Sequence, residues 1–136
     1  MSNAQRWERK AQRRDVVDVL GGFLGNGAGT VTPPVLYFAS GAWTLTKVGA
    51  SGTGVYRVTL TDKFVGPPII VPVVFATGAT PAAFTVQAGN YLTPATGKWS
   101  FDLFVLSTAA APLAAADLTS AARVMFTATW SDTKQP

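Results

Sequence analysis

Between Phe64 and Gly97 the chain carries no charged residue, yet Pro67, Pro68, Pro72, Pro81 and Pro94 divide that run, with Gly66, Gly78 and Gly89 between them. Proline removes a backbone donor and clashes with the preceding helical turn, so a membrane-spanning helix of ~20 residues does not fit here. An apolar run punctuated in this way is expected to form short extended strands joined by turns. From Thr30 onward the rest of the chain has the same vocabulary of Val, Thr, Phe and Trp between Gly and Pro.

Alternation then places the strands. In Val55–Thr61, Tyr56, Val58 and Leu60 share one face and Arg57 and Thr59 the other. Trp43 and Leu45 alternate with Thr44 and Thr46. Trp99, Phe101, Leu103 and Val105 form one side of a strand over 98–106, and Val124, Phe126, Ala128 and Trp130 one side of another over 123–130. Further strands are expected over 35–39, 68–76 and 83–88, and the GASGTG run at 49–54 reads as a hairpin turn. Short strands of this kind predict an all-β domain over residues 30–136, an antiparallel β-sandwich or jelly roll.

Two strands break the in/out rule. Ile69-Ile70-Val71-Pro72-Val73-Val74-Phe75 is apolar on both faces, and Phe104 and Leu106 share a face with Asp102. In a lone sandwich one face of each strand meets water, so a doubly apolar strand predicts a second face covered by another subunit or a long loop. Pro72 suits an edge position or a bulge. Tyr56, Ile70, Val74, Phe104 and Trp130 are the candidates for core or subunit interface, and the pattern alone leaves those two roles unseparated.

The charge is uneven. Arg6, Arg9, Lys10, Arg13 and Arg14 stand against Glu8 alone in residues 1–14, which accounts for the whole net charge of +4. Residues 3–20 are expected to form a short N-terminal helical arm, capped by Ser2 or Asn3 and stopped at Gly21-Gly22. Gly21–Gly29 reads as a glycine-rich hinge, so that residues 1–29 form arm and hinge. Five cations around Trp7 suit contact with an acidic protein surface or with nucleic acid, and protein is the favoured partner.

The chain has no Cys and no His. That excludes thiol chemistry, Ser-His-Asp triads and the usual zinc sites. The carboxylates past the arm are Asp62, Asp102, Asp117 and Asp132, and none shows the dense spacing of a calcium loop. Asp62 and Asp132 read as turn residues, Asp102 as a strand residue and Asp117 as the close of an Ala-rich loop. No catalytic residue, metal or cofactor is expected, and the chain reads as a non-enzyme.

The run Gly52-Thr53-Gly54-Val55-Tyr56-Arg57-Val58-Thr59-Leu60, the apolar strand at 67–75, the strand at 99–105 and the closing Ala116-Asp117-Leu118 with 123–130 resemble structural proteins of tailed bacteriophages. The layout over 42–130 is similar to jelly-roll trimers of the complement globular-head kind, found in phage decoration proteins and fibre heads. The resemblance implies a homotrimeric capsid decoration (cement) protein on the virion surface, made in the host cytoplasm, bound to the major capsid protein or other virion proteins rather than to a membrane. The basic arm lies outside the likeness. The alternatives are a fibre or tail module binding receptors or glycans through Trp43, Tyr91 and Trp99, and a small jelly-roll coat protein whose arm binds genome.

Overall fold

Alternating apolar and polar residues bury one side of each long strand, and nine strands result among the described residues. The computed structural model describes residues 16–27, 35–37, 42–63, 67–93, 96–109 and 111–131. In chain order the strands are β1 (Val16–Leu24), β2 (Val35–Tyr37), β3 (Trp43–Val48), β4 (Val55–Lys63), β5 (Ile69–Ala76), β6 (Phe84–Leu92), β7 (Lys98–Ser107), β8 (Ala114–Ala115) and β9 (Ala122–Ser131). All pairings are antiparallel. The described residues contain no helix.

Two sheets form. One has the order β2-β1-β9-β5, and the other β3-β4-β7-β6 with β8 beside β7. Their inward residues make a single core: Phe23, Ala122, Val124, Phe126 and Ala128 from the first sheet, and Trp43, Tyr56, Val58, Leu60, Phe101, Leu103 and Val105 from the second. Three ring contacts cross between the layers. Phe23 meets Tyr56 at 5.3 Å, while Phe126 meets Trp43 at 5.0 Å and Phe101 at 5.5 Å, both edge-on. β5 and β6, the last strands of the two sheets, touch at one margin. Pro72 therefore sits on a terminal strand, the position its missing N–H requires.

The expected helix over 3–20 is corrected where it can be seen. Residues 16–24 are the strand β1, paired along its full length with β9 from Val16↔Ser131 to Leu24↔Arg123. Val16, Val17 and Val19 are β-branched and lose side-chain freedom in a helix, whereas an extended chain accommodates them. The expected hinge is corrected for the same stretch, because Gly21-Gly22-Phe23-Leu24 continues that strand. The rest of the helical expectation, with Arg6, Trp7, Arg9, Lys10, Arg13 and Arg14, lies outside the described residues.

Gly21 is in the strand for a packing reason. It pairs with Phe126, whose ring lies across it, and a Cβ there would come within 2.3 Å of Phe126 and 2.7 Å of Trp43. Gly21→Ala is expected to lower stability by about 1–3 kcal/mol through overpacking. A urea titration checks this, with a lower midpoint and an unchanged slope as the expected result.

Candidate functional site

The outer sides of the two sheets differ in chemistry. On the first, cross-strand register assembles a grid of four rows: Asp18–Thr129–Ile69, Leu20–Thr127–Val71, Gly22–Met125–Val73 and Leu24–Arg123–Phe75. The β5 side chains in these rows are strongly exposed, with Ile69 at 69%, Val71 at 57%, Val73 at 45% and Phe75 at 41%, and Leu20 at 44% joins them. Between β1 and β5 they border an open apolar depression of about 270 Å³ floored by Met125, Phe126 and Thr127. Continuous apolar patches of this kind on a soluble surface mark interaction sites.

Charge appears only at the two ends of the grid. Asp18 is exposed at one end and accepts a hydrogen bond from Thr129 Oγ1 at 2.7 Å. At the other end the Arg123 guanidinium lies over the Phe75 ring, 5.5 Å from its centroid. The two middle rows carry no charge.

The second sheet carries polar pairs on its outer side, beside the half-buried Phe104 and Leu106. Thr44 and Thr59 are cross-strand partners, and Thr59 Oγ1 and Ser100 Oγ share a hydrogen bond of 3.2 Å. In the next row Arg57 grips Asp102 through Nε at 2.8 Å and Nη2 at 3.1 Å. Asn90 Nδ2 donates to the same carboxylate from a bulge in β6, where Asn90 has a φ of 52°. Asp102 is buried, and Arg57 titrates even higher than usual because of its hydrogen bond to that carboxylate. The carboxylate is held by two guanidinium nitrogens of Arg57 and by the Asn90 amide, an arrangement that orders the face.

A third cluster joins loops at one end of the domain. The Asp117 carboxylate accepts the amides of Gly52 at 2.7 Å and Gly54 at 2.9 Å, and pairs with Lys47 Nζ at 3.1 Å. Lys47 is buried, and its ammonium also donates to Thr53 Oγ1 at 2.7 Å and to the carbonyls of Val48 and Ala50. Its charge lies 5.4 Å from the centre of the Tyr56 ring. The Tyr56 hydroxyl accepts the Leu118 amide at 2.8 Å, and burial pushes its pKa up. Gly54 turns here with φ +61°, and a Cβ on it would sit 2.5 Å from the Val105 carbonyl. The GASGTG run is thus a turn between β3 and β4, fastened by a carboxylate 65 residues further along. This arrangement holds a loop; the ammonium and the carboxylate neutralise each other.

The structure separates the candidates that the sequence left together. Tyr56 is fully buried in the core, and Ile70 and Val74 pack half-buried against that core. Phe104 lies on the outer side of the second sheet, half-buried over Gly89. Trp130 is in β9 opposite Val17. Trp43 is buried and Trp99 packs against the core, which leaves Tyr91 as the exposed member of the three proposed stacking rings. Asp62 is in β4 rather than in a turn, and Asp132 lies outside the described residues. Among the described residues no three of His, Cys, Asp and Glu gather in a metal-binding group.

The sequence marks β5 as apolar on both faces and singles out its even positions Ile70 and Val74, without deciding which parity looks outward. Both parities of that strand are apolar, so only its pairing with β9 tells which looks outward. The signal lay in β9, where Thr127 and Thr129 alternate with Phe126 and Ala128 and identify the outer side.

The Asp117 clamp has a pH signature. Burial pushes its pKa up, but the two glycine amides and Lys47 outweigh that and hold it below the ordinary 3.8. Its contribution is therefore complete above that ordinary value and disappears as pH falls through the lower folded value. Asp117→Ala, which strands the buried Lys47 charge, is expected to cost about 3 kcal/mol near neutral pH. Denaturant titrations from pH 7 to pH 2 should show the gap between wild type and variant narrowing below pH 3.8.

Comparison with known protein families, curated proteins and solved structures finds no match to this chain.

Proposed function

We propose that this chain is a virion structural protein of a tailed phage, a capsid decoration (cement) protein that binds an assembled shell and stabilises it. The observation that carries the reading is the exposed apolar grid on the outer side of the first sheet, a surface suited to subunit assembly rather than to chemistry. The β-domain forms a homotrimer, and the basic segment with Arg6, Trp7, Arg9, Lys10, Arg13 and Arg14 contacts the major capsid protein or another virion protein.

The path of the chain supports this. β1 pairs with β9 in one sheet and β4 with β7 in the other, and the chain passes between sheets at β2–β3, β4–β5, β5–β6 and β7–β9. The pairing of the first described strand with the last, and the repeated crossing between sheets, support a jelly-roll winding. The mechanism is mass action: a protein that binds only the assembled lattice stabilises it against opening. Three basic segments on one trimer add avidity where each contact alone is weak.

The native mass of the full chain tests the reading, with nuclease-treated samples measured across a range of salt. A species of three times 14.2 kDa, unchanged by nuclease and salt, is the expected outcome. A monomer, or an assembly that needs nucleic acid and weakens steeply with salt, would overturn it in favour of a genome-binding coat protein.

A further inference from the structure

We propose that the apolar grid seats Trp7 of a neighbouring copy, so that each chain sends its N-terminal segment across the first sheet of the next. This seat rests on the trimeric reading of the β-domain and adds to it the contact that joins the copies.

The depression between β1 and β5 suits one aromatic ring. It holds about 270 Å³ and is lined by Leu20, Val71, Val73, Phe75 and Met125, with Thr127 as the polar side chain on its floor. An indole there packs against hydrocarbon and thioether, and its N–H meets a hydroxyl. Because the depression is open, a free small molecule in it would keep much of its surface in water. A ring carried on a chain is held in place by the rest of that chain. Trp7 is the sole aromatic residue of 1–15, set among Arg6, Arg9 and Lys10 with no other large apolar residue beside it. It gains burial only against a ready apolar surface.

The place where the described chain begins sets the reach. It enters β1 at Val16, at the Asp18 end of the grid, nine residues after Trp7. Nine residues span about 14 Å as a helix and about 30 Å when extended. No Gly, Pro or Asn lies between Trp7 and Val16 to turn the chain back along its own sheet, which favours the grid of a neighbour.

Charge agrees with this placement. Asp18 is exposed one row from Leu20 and Val71, a step of about 7 Å along the strand. Its carboxylate accepts a bond from Thr129 Oγ1 and retains acceptor positions for a cation. Arg9 and Lys10 follow Trp7 closely enough to reach it once the indole is seated. Segment and grid are different surfaces, so the contact is heterologous and can close in a ring of three.

The chain has no Cys, so a pair of thiols can be placed to test the contact. Glu8→Cys, beside Trp7, and Val73→Cys, at the depression, are combined in one full-length chain and oxidised. The expected products are disulfide-linked species of two and three chains, absent from either single variant. A single-chain product with both thiols consumed would overturn the exchange between copies. Sedimentation then compares wild type with Trp7→Ala, Val73→Lys and the double variant, each checked for folding by thermal unfolding. Each single change is expected to weaken association at least tenfold, and the double no further, since both remove one contact. A trimer undiminished in Trp7→Ala would overturn this seat and leave the trimeric reading intact. A monomeric wild type would overturn both.

Discussion

Phe126 stands at the centre of the first sheet, on the strand that pairs with both β1 and β5, and its ring reaches across to Trp43 and Phe101 of the second sheet. Two sheets with no disulfide, and among the described residues no helix, cohere by burying apolar area and by the fit of the side chains that bridge them. The fit here extends to the backbone, because the Phe126 ring takes the volume a side chain at Gly21 would fill. Strand β1 is thereby held close to β9, and its outward residues Asp18, Leu20 and Leu24 take fixed places on the surface.

That packing leaves two outer faces with different consequences. The second sheet matches its polar groups internally, through the Arg57–Asp102–Asn90 network and the row of hydroxyls beside it. The first sheet has nothing comparable on β5, where four alternate residues expose hydrocarbon or an aromatic ring. Water meets the first face at a continuing free-energy cost that burial against a partner removes. The Asp117–Lys47 clamp belongs to neither face. It secures the loop between β3 and β4 to the segment before β9, so that the end of the domain keeps its shape.

β4 of the second sheet was legible because its alternation is clean: Tyr56, Val58 and Leu60 inward, Arg57 and Thr59 outward. β9 was legible for the same reason. β1 was not, because helix-forming residues precede it and two glycines inside it resemble a helix stop. Local propensity is a weak signal against tertiary packing, and the reason for Gly21 is an aromatic ring 105 residues away. Asp117 looked like an ordinary loop residue, since its partners Lys47, Gly52 and Gly54 are remote in the chain.

By itself the sequence determined that the chain is built of strands, that it lacks thiol and imidazole chemistry, and that its charge is concentrated before residue 15. These follow from residue types and from a two-residue period, which are local properties. Tertiary structure decided which parity of β5 looks outward, which carboxylates hold loops or strands in place, and where the opposite charges of the outer grid fall. Those depend on which strands become neighbours and in what register. A shift of one residue would have turned Ile69, Val71, Val73 and Phe75 into the core and Ile70 and Val74 out of it.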